Sequence, residues 1–188
     1  MENNEKQHLE LITEMINIAR KEYSDDSFIF LLWGWSVCLA SLGEYALLKL
    51  GTEYHSLVWL ILIPVVIIQI VYFARQKKQE RVKTHMDKVI SYVWISVGIS
   101  MGVVLSSGPV MQLSTYPVLI LLYGIGTFIS GGILNLKSMK IGAICCWVLA
   151  LVAIRVSFEY QQLILSLSLI LSYIIPGHLL KNRYRQNV

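Results

Sequence analysis

The residue of this chain best placed to do chemistry is Glu44, a carboxylate set in Ser41-Leu42-Gly43-Glu44-Tyr45 within a long apolar run. An ionisable side chain near the centre of a bilayer costs at least ~2.5 kcal/mol, so one that is retained there is a functional candidate by default. Two readings stand side by side. Glu44 faces the helix bundle as a proton or cation site, or it reaches the headgroups and pairs with Lys49 or Arg155. Gln69, near the end of another apolar run, has an amide suited to hydrogen bonding across helices. Arg155 and Glu159 have the i,i+4 spacing of a surface ion pair.

The remaining reactive residue types form no constellation. His8, His55, His85 and His178 are scattered, with no second ligand at metal-binding spacing. Cys38, Cys145 and Cys146 all fall in apolar runs. An odd count at membrane depth argues against a disulfide framework, and adjacent cysteines point to different faces of a helix. The sequence has no glycine-rich phosphate loop, no Ser-His-Asp arrangement and no paired intramembrane carboxylates. It therefore reads as non-enzymatic, with no catalytic, cofactor-binding or metal residues expected.

The elements that must position Glu44 and Gln69 follow from where charge is allowed. The 188 residues are 55% hydrophobic and 15% charged, and mean hydropathy is +0.59. A soluble domain carries about 25% charged residues. Here charge collects in the first 26 residues, in 75–88 and in the last eight, separated by apolar runs. A bilayer imposes that distribution. The net charge of +4 comes from cations flanking apolar segments, which set topology and do not imply nucleic acid.

The expected fold class is all-α: a polytopic bundle of six transmembrane helices preceded by a cytoplasmic amphipathic helix. The spans run at about 28–50, 56–73, 89–105, 116–136, 141–156 and 160–180, within a membrane domain of 27–181. Each approaches the ~20 apolar residues that a ~30 Å hydrocarbon core requires, and the fifth is the shortest. Pro64 is expected to kink the second. Residues 1–26 form a leader, in which Leu9, Ile12, Ile16 and Ala19 recur at helical spacing over 4–22. Its polar face carries Glu10, Glu14 and Asn17, whereas a lipid-surface helix is usually rich in Lys and Arg there. Docking onto protein is therefore preferred to lying on lipid. The leader is too polar and acidic for a cleavable signal peptide, so the first apolar run is expected to stay as an anchor. Asp25, Asp26 or Ser27 is placed to cap it. Residues 182–188 form a basic tail.

Orientation follows from counting. With both termini in the cytoplasm, Lys6, Arg20 and Lys21 lie inside, followed by Arg75, Lys77, Lys78, Arg81, Lys83 and Lys88. Lys137, Lys140, Lys181, Arg183 and Arg185 complete the set, 14 of the 16 Lys and Arg. Only Lys49 and Arg155 fall outside, which is the bias of the positive-inside rule. Tyr54, Trp59, Tyr72, Tyr92, Tyr116 and Tyr160 sit near span ends, as interfacial aromatic belts do.

Small residues mark where helices approach. Gly98 and Gly102 form a GxxxG in the third span. Thr127 and Gly131 repeat the spacing in the fourth, and Gly34 and Cys38 in the first. Such stripes serve packing within the bundle or an oligomer face, a homodimer included. Ser166, Ser168 and Ser172 of the sixth span either line a polar path or bond their own backbone. Leu31-Leu32-Trp33-Gly34 is echoed by Leu121-Leu122-Tyr123-Gly124, in spans of opposite direction. Three-span inverted halves of this kind are common in transporters.

With its amphipathic leader, Trp33-Gly34, Leu122-Tyr123-Gly124, Gly131-Gly132, Cys146-Trp147 and a terminal Ile175-Pro176-Gly177 stop, the chain resembles a group of small uncharacterised bacterial multi-spanning membrane proteins. The resemblance covers essentially the full chain. It implies a multi-pass protein of the bacterial cytoplasmic (inner) membrane and transfers no reaction or substrate. The leading functional expectation is an accessory or regulatory protein that meets a cytoplasmic partner through residues 4–22, with 75–88 and the tail assisting. The alternative is a small inverted-repeat transporter or channel with Glu44 near its path.

Overall fold

A computed structural model describes residues 27–77, 85–107 and 115–185 of the chain. The leader helix expected over 4–22, the middle of the 75–88 segment (78–84) and the end of the basic tail lie outside the described residues. Among the described residues all regular structure is helical. Helix α1 spans Ser27–Lys49. A 3-10 segment, His55–Ile61, leads into α2, Leu62–Lys77. Then come α3, His85–Ser106, α4, Thr115–Ile133, and α5, Lys137–Ala153. Helix α6, Phe158–Leu169, passes through a π turn, Ile170–Ile174, into α7, Ile175–Arg185.

Five stretches are long and apolar enough to cross a membrane: Ser27–Lys49, His55–Arg75, Lys88–Ser106, Thr115–Ile133 and Phe158–Asn182. Helix α5 stands alone at 17 residues, a rise of about 25 Å at 1.5 Å per residue, and is not among those five stretches.

Two helix ends show why the chain reverses where it does. After α1, Gly51 takes φ 70°. Its N–H bonds the Leu48 carbonyl while the Thr52 N–H reaches back to Leu47, both at 3.1 Å. After α4, Asn135 takes φ 51°, with Asn135 bonded to Gly132 and Leu136 to Gly131. Both are Schellman turns, which need a residue tolerant of the left-handed region and satisfy the last carbonyls of the helix.

The prolines act differently from expectation. Pro64 falls in the first turn of α2, directly after the 3-10 segment. A missing N–H is tolerated in a first turn, and the helix type changes from 3-10 to α just before it. Pro176-Gly177 is not a stop, because α7 continues through it to Arg185. Proline cannot donate to the carbonyl four residues back, and its ring crowds it; the π turn immediately before Pro176 widens the helix there.

Burial divides the helices. The membrane-length windows of α1, α4 and α6–α7 are 44–50% buried, and those of α2 and α3 only 6%. Helix α5 packs most extensively on α4, and also on α6 and the π turn, while α3 leans on α4. Close approaches in this core run over glycine. A side chain at Gly142 would meet the Leu171 carbonyl oxygen at 2.5 Å, one at Gly131 would meet Met139 at 2.8 Å, and one at Gly34 would meet Tyr173 at 2.9 Å.

Candidate functional site: a buried carboxylate clasp

Helix α1 carries Glu44 on the face it buries, and only 2% of the residue is exposed. Three donors from two other elements converge on it. From the 3-10 segment, the His55 imidazole lies with Nδ1 3.0 Å from Oε1, and the Trp59 indole N–H donates to Oε2 at 2.8 Å. From the start of α4, the Tyr116 hydroxyl donates to Oε2 in a short hydrogen bond. The donors are arranged as an acceptor-only carboxylate requires.

Local sequence explains the convergence. The short turn at Gly51 folds the 3-10 segment back along α1. Gly43, one residue before Glu44, leaves room for Val58, which a Cβ there would meet at 3.1 Å. Aromatic rings close the surroundings: Trp59 stacks on Tyr116 at 6.3 Å, and Phe158 of α6 lies 5.3 Å beyond. Ser41, one turn earlier on α1, donates to the Gln162 carbonyl at 2.6 Å and ties α6 to the same end. Glu44 thus faces the bundle, and its partners are His55, Trp59 and Tyr116, not the Lys49 or Arg155 of the interfacial reading. Lys49 instead pairs with Glu159 at 2.5 Å, with its ammonium between the rings of Tyr45 and Tyr160. The expected Arg155–Glu159 pair is replaced by that cross-helix one.

A second cluster lies further along the bundle around Tyr173 in the π turn. Its ring has Phe30 of α1 at 5.5 Å, Trp94 of α3 at 5.8 Å and Tyr123 of α4 at 5.5 Å. Trp94 donates to Ser130 at 3.1 Å. The hydroxyls of Tyr173 and Thr127 are buried and make no well-formed hydrogen bond among the described residues.

No family model matches the sequence, and no curated protein and no solved structure matches it. Among the described residues the chain is all-helical, with several helices of membrane-crossing length.

The other candidate residues separate clearly. Gln69 accepts a hydrogen bond from the Trp33 indole at 3.0 Å and so joins α2 to α1, assisted by Phe28 against Tyr72 at 5.1 Å. Thr127 and Gly131 are buried in the core, with Gly131 at the α4–α5 seam. Gly98 and Gly102 have no atom within 4 Å of a Cβ built on either. Among the described residues, packing within the bundle does not account for that GxxxG. Ser166, Ser168 and Ser172 donate to carbonyls one turn back on their own helix, the backbone-bonding alternative. The three cysteines are free.

Sequence reasoning found Glu44 and missed its donors. His55 and Trp59 were within reach, because a tight turn at 50–54 makes residues on either side level with one another. Tyr116, 72 residues away, left no local signal beyond its place at a span end.

Proposed function

We propose that this protein is a six-span membrane protein of accessory or regulatory type, with a rigid transmembrane core that displays its cytoplasmic segments to a partner. The observation carrying this reading is that the carboxylate, amide and serine side chains best suited to line a path are occupied by one another or by main chain. Glu44 is held by three donors and Gln69 by Trp33. Ser41, Ser166, Ser168 and Ser172 are bound to carbonyls. Groups committed in this way fix helices together and are poorly placed to solvate a passing substrate. In this reading α5 is the sixth span, both termini are cytoplasmic, and residues 4–22 form the docking helix, in a bacterial cytoplasmic membrane. The cation bias of 14 to 2 supports that orientation.

Deleting residues 1–24 tests it. Partner capture or self-association should be lost while the protein still inserts. Unchanged pull-downs and an unchanged oligomer size would refute it.

A transport reading draws on one observation, the depth of Glu44 together with the half-exposed His55 beside it. Reconstituted vesicles decide: flux of protons, cations or small amphiphiles that Glu44→Gln abolishes would favour transport over the scaffold.

A further inference from the structure

Helices α3 and α4 pack side by side and leave an open groove of about 390 Å³ along one flank. Val89, Tyr92, Val93 and Ser96 of α3 line it against Ile125 and Ile129 of α4. Its floor is Val97, only 6% exposed. The Ser96 hydroxyl in the middle of the groove is committed to the Tyr92 carbonyl at 2.9 Å. On α4, Gly132 continues the face of Ile125 and Ile129 at helical spacing. Among the described residues no atom lies within 4 Å of a Cβ built there, so the groove runs out openly towards the α4–α5 turn.

Its position narrows what can occupy it. Both helices are long and apolar enough to cross a membrane, and the apolar stretch of α3 begins at Lys88. The groove starts at the next residue, Val89, and covers about 12 Å of helix rise to Val97. That is within one leaflet of a ~30 Å hydrocarbon core. A helix from a partner would track α3 along its whole length. Gly98 and Gly102, where a helix could approach closely, are not among the lining residues. A flexible apolar chain of half-membrane length matches the groove better.

Charge complements such a chain's headgroup. Lys88 and Lys137 are exposed at the end where the groove opens, and Lys140 is half-buried beside them. Lys88 precedes Tyr92 of the lining by one helical turn, and Tyr92 is 70% exposed. Among the described residues Asp87 is the one acid at this end, because Glu44, Glu53 and Glu159 all lie at the other. We propose that this groove holds one acyl chain of an anionic phospholipid, with Lys88 and Lys137 meeting the phosphate and Tyr92 beside the glycerol. Lysines near a membrane surface attract anionic lipid in this way, and the groove adds a fixed place for the chain. The inference uses the membrane-crossing length of α3 and α4 and not the scaffold reading. Deleting residues 1–24 leaves both walls of the groove in place, so either idea can fail without the other.

Native mass spectrometry of the full-length protein, titrated in detergent with phosphatidylglycerol or phosphatidylcholine, tests it. The wild type should retain one phosphatidylglycerol at roughly tenfold lower lipid concentration than phosphatidylcholine. Lys88→Gln combined with Lys137→Gln should bring the two lipids within about twofold of each other. Ser96→Trp fills the groove while keeping both lysines, and should also abolish the tight phosphatidylglycerol. Should it fail to fold, Ile129→Trp fills the groove from α4 and decides instead. Arg155→Gln, at the opposite end, should leave retention unchanged. Equal retention of the two lipids by the wild type, or a preference that survives the double lysine change, would overturn the proposal. So would tight phosphatidylglycerol in the filled variant, since charge alone would then hold the lipid.

Discussion

The two polar clusters of this bundle solve the same problem with opposite results. At one end Glu44 sits among His55, Trp59 and Tyr116, and every donor has its acceptor. Around the π turn, Tyr173 is surrounded by three aromatic rings, and its hydroxyl and that of Thr127 make no well-formed hydrogen bond among the described residues. The first cluster is built on hydrogen-bond complementarity and the second on ring packing that tolerates two unsatisfied hydroxyls. A charge cannot be buried without partners, so Glu44 dictates its surroundings. A phenol can be, at a cost of about 1–3 kcal/mol, so Tyr173 is dictated to by its neighbours.

Substitutions should expose that difference. The largest effect is expected for Glu44→Ala, which strands three donors and should destabilise the protein by about 3–5 kcal/mol in thermal or denaturant unfolding. Next is a matched pair of hydroxyl deletions. Tyr116→Phe removes a hydrogen bond to a carboxylate and should cost about 1.5–3 kcal/mol, whereas Tyr173→Phe removes an unpartnered group and should be neutral or stabilising. Equal costs for the two phenols would collapse the comparison.

The glycines sharpen it further. Gly142→Ala drives a methyl into the Leu171 carbonyl and should cost about 1–3 kcal/mol. Gly98→Ala meets no atom of the described residues and should gain up to ~1 kcal/mol from helix propensity. The smallest effect belongs to Lys49→Ala. Its pair with Glu159 is exposed on both sides, so unfolding should barely change, and less still in high salt.

Much of the fold is legible in the sequence because the bilayer leaves few choices. Apolar run lengths mark out the membrane-length helices, and Gly51 and Asn135 sit where left-handed caps are needed. The illegible parts depend on distant partners. Gly98-xxx-Gly102 and Thr127-xxx-Gly131 have the same spacing. Only packing shows that the second is buried in the core while the first is open. Ile175-Pro176-Gly177 looks like a terminator. The π turn that lets the helix pass through it packs closely on Gly34 of α1 and Gly142 of α5, where a Cβ would clash. Glu44 was identifiable as costly, but its orientation was not, since a helix face is chosen by neighbours up to 72 residues away.

The central claim is that Glu44 is gripped inside the bundle and does not rest at the lipid surface. A double-mutant cycle on Glu44→Gln and Tyr116→Phe, read by unfolding in lipid nanodiscs, measures that grip directly. The clasp predicts a coupling of about 1.5–3 kcal/mol between the two sites. Additivity to within ~0.5 kcal/mol would show that the two side chains do not meet, and would contradict it.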